Sequence, residues 1–205
     1  MTVEHPKQTY YPEYNVMDQF HEWDKVTQCV IQKRLAASEV SFFKPEEHEL
    51  MIALYPIITP SHLGDIGVNV ASLLDERCRE GKMNGYIRGS KLRVIDVIRI
   101  GLRYVHVECY SQFHHTFSTL EKKLQISYVQ QLQDNIGMSD VWIKIQPQMF
   151  LHTFSNELIK VVYSDPSIWS DLGFGGPAYP RGYYAFGFKQ FDSWEAPIYD
   201  KDEKS

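Results

Sequence analysis

Paired cysteines are missing from this chain. Its three cysteines, Cys29, Cys78 and Cys109, stand far apart in 205 residues, and no CxxC or CxxCH spacing occurs. That excludes a disulfide framework, a zinc knuckle, a thioredoxin-like site and covalent haem, and leaves three thiols expected to be buried and reduced. Long apolar runs are missing too. The longest, around Leu50 to Ile58, contains Pro56 and falls well short of the roughly 20 residues of a membrane helix, so no membrane insertion is expected. Cations form no stripe: 21 Lys and Arg are scattered among 26 Asp and Glu for a net charge of -5, which argues against nucleic acid as a partner. Residues 1–14 carry neither a twin arginine nor an apolar stretch, so the expected compartment is the cytoplasm.

Aromatic residues are plentiful, with 13 Tyr, 11 Phe and 4 Trp. Residues 1–17, polar and tyrosine-rich with Pro6 and Pro12, read as an extended arm. Residues 18–164 read as a helical domain. Trp23, Val26, Val30, Ile31 and Leu35 recur at helical spacing and are expected on one buried face. Pro45-Glu46-Glu47 opens a second helix, with proline in its first turn and acids facing the positive dipole end, expected to stop near Tyr55 before Pro56. A third starts near Ser61 or Gly64 and ends at Gly81. The stretch from Leu92 to Tyr110 is rich in β-branched residues, yet 19 residues without a turn signal exceed a strand, and Val94, Val97, Ile98, Gly101 and Val105 make a helical stripe. Two more helices are predicted over 119–134 and 147–163. The fold class expected is all-α: an irregular bundle of about six helices followed by an irregular tail.

That tail, 165–197, holds five glycines, four prolines and nine aromatics, with a charged, frayed end over 198–205. Disordered segments are poor in aromatics, so this one should dock on its own bundle or on a partner.

No catalytic set emerges. There is no Glu-x-x-His pair for a bridged metal site and no Gly-x-Ser-x-Gly elbow. His114 and His115 are adjacent, about 100° apart on a helix, and His106 with Glu108 is spaced for a strand instead. A metal-dependent enzyme built on His106, Glu108, His114 and His115 therefore stands only as an alternative, and a Cys109–His114 pairing has no supporting context. Glu46, Glu47 and Glu49 read as a solvated first turn. The cluster Gly173 to Pro177 lacks a following Lys-Ser/Thr, and Pro177 removes an N–H, so a docking turn is expected and not a phosphate loop. Arg181, alone among aromatics and glycines, is either a surface arginine stacked on a tyrosine or a contact to a partner's carboxylate or backbone.

The tail also carries a resemblance. Asp165-Pro166-Ser167-Ile168-Trp169, then Gly175-Gly176-Pro177-Ala178-Tyr179-Pro180-Arg181-Gly182-Tyr183 and Asp192-Ser193-Trp194-Glu195-Ala196, resemble the C-terminal signature of the gluconate 2-dehydrogenase subunit 3 family; Phe42-Phe43-Lys44-Pro45-Glu46-Glu47 looks like the start of that family's first helix. The resemblance implies a small, non-catalytic subunit of a large FAD-containing dehydrogenase of the glucose-methanol-choline type. Such a subunit assists folding, stability or export of its partner in a chaperone-like way. FAD is then expected in the partner, with no cofactor or metal on this chain, and the pair can cross a membrane together. The residues assigned to the contact are Trp169, Gly175, Gly176, Pro177, Pro180, Arg181, Gly182, Tyr183 and Trp194. A stand-alone scaffold whose tail folds back on its own body is the other alternative.

Overall fold

Local signals set most of the helix boundaries. The Asp24 carboxylate accepts the N–H groups of Val26 and Thr27 and starts α1, Lys25–Leu35. Prolines open α2, Pro45–Ile58, and α6, Pro147–Val162, where a missing N–H costs nothing. Between them lie α3, Gly67–Arg79, α4, Val94–Phe113, and α5, Lys122–Asp134; α7, Pro166–Leu172, follows. His114 (φ 56°) and Asn135 (φ 54°) end α4 and α5 in the left-handed conformation. Short 3-10 helices cover Val16–Glu22 and Phe117–Thr119. These coordinates are a computed structural model that describes residues 11, 13–36, 39–60, 67–185, 187 and 190–196. Among them the fold is all-α, as the sequence predicts, with a lone antiparallel bridge between Tyr86 and Arg93.

The chain divides into two compact units, 1–36 with 162–205, and 37–161. In the second, α2 packs against α3, α4, α5 and the Phe117–Thr119 turn. Leu50, Met51 and Leu54 from α2, Leu74 from α3, Ile98, Leu102 and Val105 from α4, Tyr128 and Leu132 from α5, and Phe150 and Phe154 from α6 are buried there. Asp75, with no exposure, accepts the N–H groups of Ser41, Phe42 and Phe43 and holds the segment leading into α2. In the first unit, Val16, Trp23 and Ile31 form a cluster with Trp169 of α7, and Tyr14, Met17 and Phe20 pack around it.

Several expectations need correction. α2 passes through Pro56 to Ile58. Proline one turn from a helix end removes only one bond, and Thr59 closes the helix by donating both its N–H (2.9 Å) and its hydroxyl (2.7 Å) to the Tyr55 carbonyl. The first helical segment is broken: Trp23 is extended and separates the 3-10 helix from α1. On α1, Val26, Val30 and Leu35 are 74%, 43% and 46% exposed, so of the expected face only Ile31 and the preceding Trp23 are buried. The expected extended arm stops short of residue 17, since a 3-10 helix begins at Val16, which is fully buried. The tail contains a helix, α7, that periodicity missed. Cys29 is exposed, while Cys78 and Cys109 are buried. The expected start of the third helix near Ser61 or Gly64 lies outside the described residues, as do most of the arm and the charged C-terminal end.

Candidate functional site

The tail is anchored by short-range chemistry first. The Asp165 carboxylate accepts the Ser167 N–H at 2.8 Å, Pro166 fills the first helical position, and Gly173 (φ +70°) terminates α7. Trp169, 5% exposed, donates its indole N–H to the Tyr163 carbonyl at 2.7 Å and meets Phe174 edge-on at 5.5 Å. Ser170 links this turn to the N-terminal segment by accepting the Val16 N–H at 3.1 Å.

Beyond Gly173 the chain wraps around one side chain. The Nη2 of Arg181 donates to the carbonyls of Gly175 (2.8 Å) and Pro177 (3.1 Å). Its guanidinium lies 4.1 Å from the centroid of the Trp194 ring and 5.6 Å from that of Trp23. Glycine is needed at two positions for this closure. A Cβ at Gly175 would stand 2.5 Å from Trp194 Cζ3, and one at Gly176, where φ is +75°, 2.6 Å from Trp23 Cζ2. Tyr14 donates to the Trp194 carbonyl at 3.0 Å, and Tyr183 lies with its ring 4.7 Å from that of Trp194. Asp192 accepts the N–H groups of Tyr184 and Ala185, and Glu195 accepts that of Asp192. Burial draws the Arg181 guanidinium below its ordinary range, opposed by Tyr14, Glu22 and Tyr183.

Of the nine residues singled out in the sequence, Trp169, Gly175, Gly176 and Trp194 are buried. Pro177, Arg181 and Gly182 are half-buried, and Pro180 (after a cis peptide bond) and Tyr183 are exposed. The structure gathers Gly175, Pro177, Arg181, Tyr183 and Trp194 around one point and adds Trp23 and Tyr14, which sequence reasoning left out. No local signal could have paired Trp23 with a turn some 150 residues later. Arg181 is stacked on tryptophan, not on tyrosine as the plainer sequence reading had it. In the Gly173–Pro177 segment a turn at Gly173 leads into an irregular stretch whose Gly175 and Pro177 carbonyls face a cation.

The histidine set is dispersed. His106 is exposed on α4 and borders a cleft of about 230 Å³ with Glu46, Leu50, Leu102 and Arg103. Glu108 faces inward, 1% exposed, and accepts from Tyr128 Oη (2.8 Å), Trp142 Nε1 (2.7 Å) and Ser139 N–H (2.7 Å). His114 caps α4, and His115 is exposed. Among the described residues no three His, Cys, Asp or Glu side chains converge as metal ligands would. Burial pushes the Cys109 thiol up to about 12, the wrong direction for a nucleophile. Glu47 accepts the Lys44 N–H at 3.0 Å, a first-turn role.

No curated protein and no solved structure matches the chain. A family model described as gluconate 2-dehydrogenase subunit 3 matches residues 45–176, from the first residue of α2 through α7 to the glycine beside Trp23, while Arg181 and Trp194 lie beyond the matched stretch. With more than half of its length matched, including every helix from α2 onward, the chain belongs to the gluconate 2-dehydrogenase subunit 3 family.

Proposed function

We propose that the protein is a non-catalytic small subunit that binds, stabilises or helps mature an FAD-dependent dehydrogenase acting on the CH–OH group of an alcohol or sugar. The observation that carries this reading is the family match, whose description is that of a subunit of a dehydrogenase. A second point supports it: the buried carboxylates are engaged in holding the fold. Asp75 caps a loop, Glu108 ties α4 to Tyr128 and Trp142, and Glu157 faces Arg77 at 3.4 Å. In this reading FAD resides in the large glucose-methanol-choline-type partner, assembly takes place in the cytoplasm, and the tail supplies the contact.

Purification of the tagged protein from its native host tests the proposal. A larger co-eluting chain with flavin absorbance bands is the expected result. A colourless single-chain eluate would favour the second reading, a stand-alone scaffold, for which the inward packing of Trp169 and Trp194 against the chain's own N-terminal segment speaks.

A further inference from the structure

The loop that follows α7 uses its charges on itself. Arg181 donates to the Gly175 and Pro177 carbonyls and lies on the Trp194 ring, with Glu22 an opposite charge nearby. Asp192 accepts the N–H of Tyr184 (2.9 Å) on one carboxylate oxygen and that of Ala185 (3.1 Å) on the other. Glu195 accepts the Asp192 N–H at 2.8 Å, and the Gly182 N–H closes a turn onto the Ala178 carbonyl at 2.7 Å. Arg181, Asp192 and Glu195 are the charged side chains among the described residues of 172–196; Lys189 lies outside them.

What this loop turns to solvent is aromatic and uncharged. Tyr179 and Tyr184 are 72% and 74% exposed, Tyr183 is 49% exposed against Trp194, and Phe191 is 40% exposed. Among the described residues, no hydrogen bond or ring contact engages the Tyr179 or Tyr184 side chain. Ordering a glycine- and proline-rich loop costs conformational entropy, and these two rings return nothing to the chain's own core. Tyrosine on a pre-ordered loop offers large, rigid contact area at low entropic cost, with a hydroxyl at its end.

We propose that Tyr179, Tyr183, Tyr184 and Phe191 are the residues of the tail that meet the dehydrogenase subunit, on an uncharged patch whose apolar side chains take the rings and whose carbonyls take the phenol hydroxyls; this rests on the accessory-subunit reading. Charge selects that partner chemistry. An acidic or basic surface would give up its water against rings that carry no opposite charge. Of these four residues, the sequence pointed to Tyr183 alone. The buried Trp169 and Trp194 shape the loop from within.

The test is a binding titration of the full chain against the purified FAD-containing subunit, at low and high salt. The variants are Tyr179→Ser with Tyr184→Ser, the same pair changed to Phe, and Tyr86→Ser. Tyr86 is equally exposed (72%) but belongs to the 37–161 unit. The serine pair is expected to weaken binding by about 100-fold, with the loop of the free chain still protected in limited proteolysis. The Phe pair keeps the rings and should come within about tenfold of the wild type, and Tyr86→Ser should match it. Wild-type affinity should change by no more than about twofold between about 50 and about 500 mM salt. If the serine pair binds like the wild type, or if salt abolishes wild-type binding, the inference is overturned while the accessory-subunit reading survives. If the wild type binds no dehydrogenase, that reading falls and the inference with it. A dimer of the free chain that the serine pair abolishes would put a second copy on the rings and overturn the assignment to the dehydrogenase.

Discussion

A methyl group on Gly101 would lie 1.9 Å from Cδ2 of Phe150, so the phenyl ring rests directly on the α4 backbone. Phe150 has no exposure and cannot swing aside, because Phe154 stacks on it at 5.7 Å and Trp142 stands at 6.1 Å. Gly101→Ala is therefore expected to destabilise the protein by about 2–3 kcal/mol through overpacking, despite the better helix propensity of alanine. Urea unfolding followed by far-ultraviolet circular dichroism reads the change; a stabilised variant would mean that ring and backbone do not meet.

Glu108 is expected to be the least replaceable acid of the 37–161 unit. Glu108→Gln keeps the shape and one acceptor oxygen but sets an amide donor either against Tyr128 Oη and Trp142 Nε1, which share one carboxylate oxygen, or against the Ser139 N–H, which uses the other. A loss of about 2–4 kcal/mol is expected, since each donor left without an acceptor costs about 1–3 kcal/mol. The lowered unfolding midpoint should come with a changed Trp142 fluorescence.

The thiols make a prediction about reactivity and pH. One thiol per folded chain, Cys29, should react with an aromatic disulfide at neutral pH, and all three in denaturant. Burial pushes Cys78 and Cys109 up to about 12 in the folded state, above the value of about 8.5 for a free thiol. Their contribution to stability is thus fully present below about pH 8.5 and is lost between there and about pH 12, at roughly 1.4 kcal/mol per pH unit per thiol. Burial also raises Tyr128, which acts in the same direction at higher pH. Urea midpoints in reductant should fall from neutral pH to about pH 10; a flat profile would show solvated thiols.

Gly176 tests whether the tail is held by its own chain. Gly176→Ala combines a strained φ of +75° with a Cβ 2.6 Å from Trp23 Cζ2. The variant should lose protease protection after Gly173 with little change in helix content. Gly89→Ala, with φ +77° and nothing within 4 Å of its Cβ, controls for the strain alone and should leave the tail protected.

The helices were legible where the sequence is periodic and punctuated. Pro45 and Pro147 mark helix starts, and the length of the β-branched run from Leu92 to Tyr110 decided helix over strand correctly, the helix being α4, Val94–Phe113. α7 was also written locally, in Asp165 as cap and Pro166 as first residue, but seven residues are too few for periodicity to register. Val26, Val30 and Leu35 misled because helical spacing says that residues share a face, not that anything covers it.

The amino-acid sequence by itself determined the all-α class, most helix starts, the special character of the Gly/Pro/aromatic tail and the family, because each depends on residues near one another in the chain. Tertiary structure alone decided what meets what. It set Trp23 against Gly176, laid the Arg181 guanidinium between two indoles with Nε and Nη1 enclosed, and turned Glu108 inward to Tyr128, Trp142 and the Ser139 N–H while leaving His106 outside. The reason is physical: propensity and capping act over a few residues, whereas a buried charge or an orphan N–H is created only when distant segments close together and exclude water.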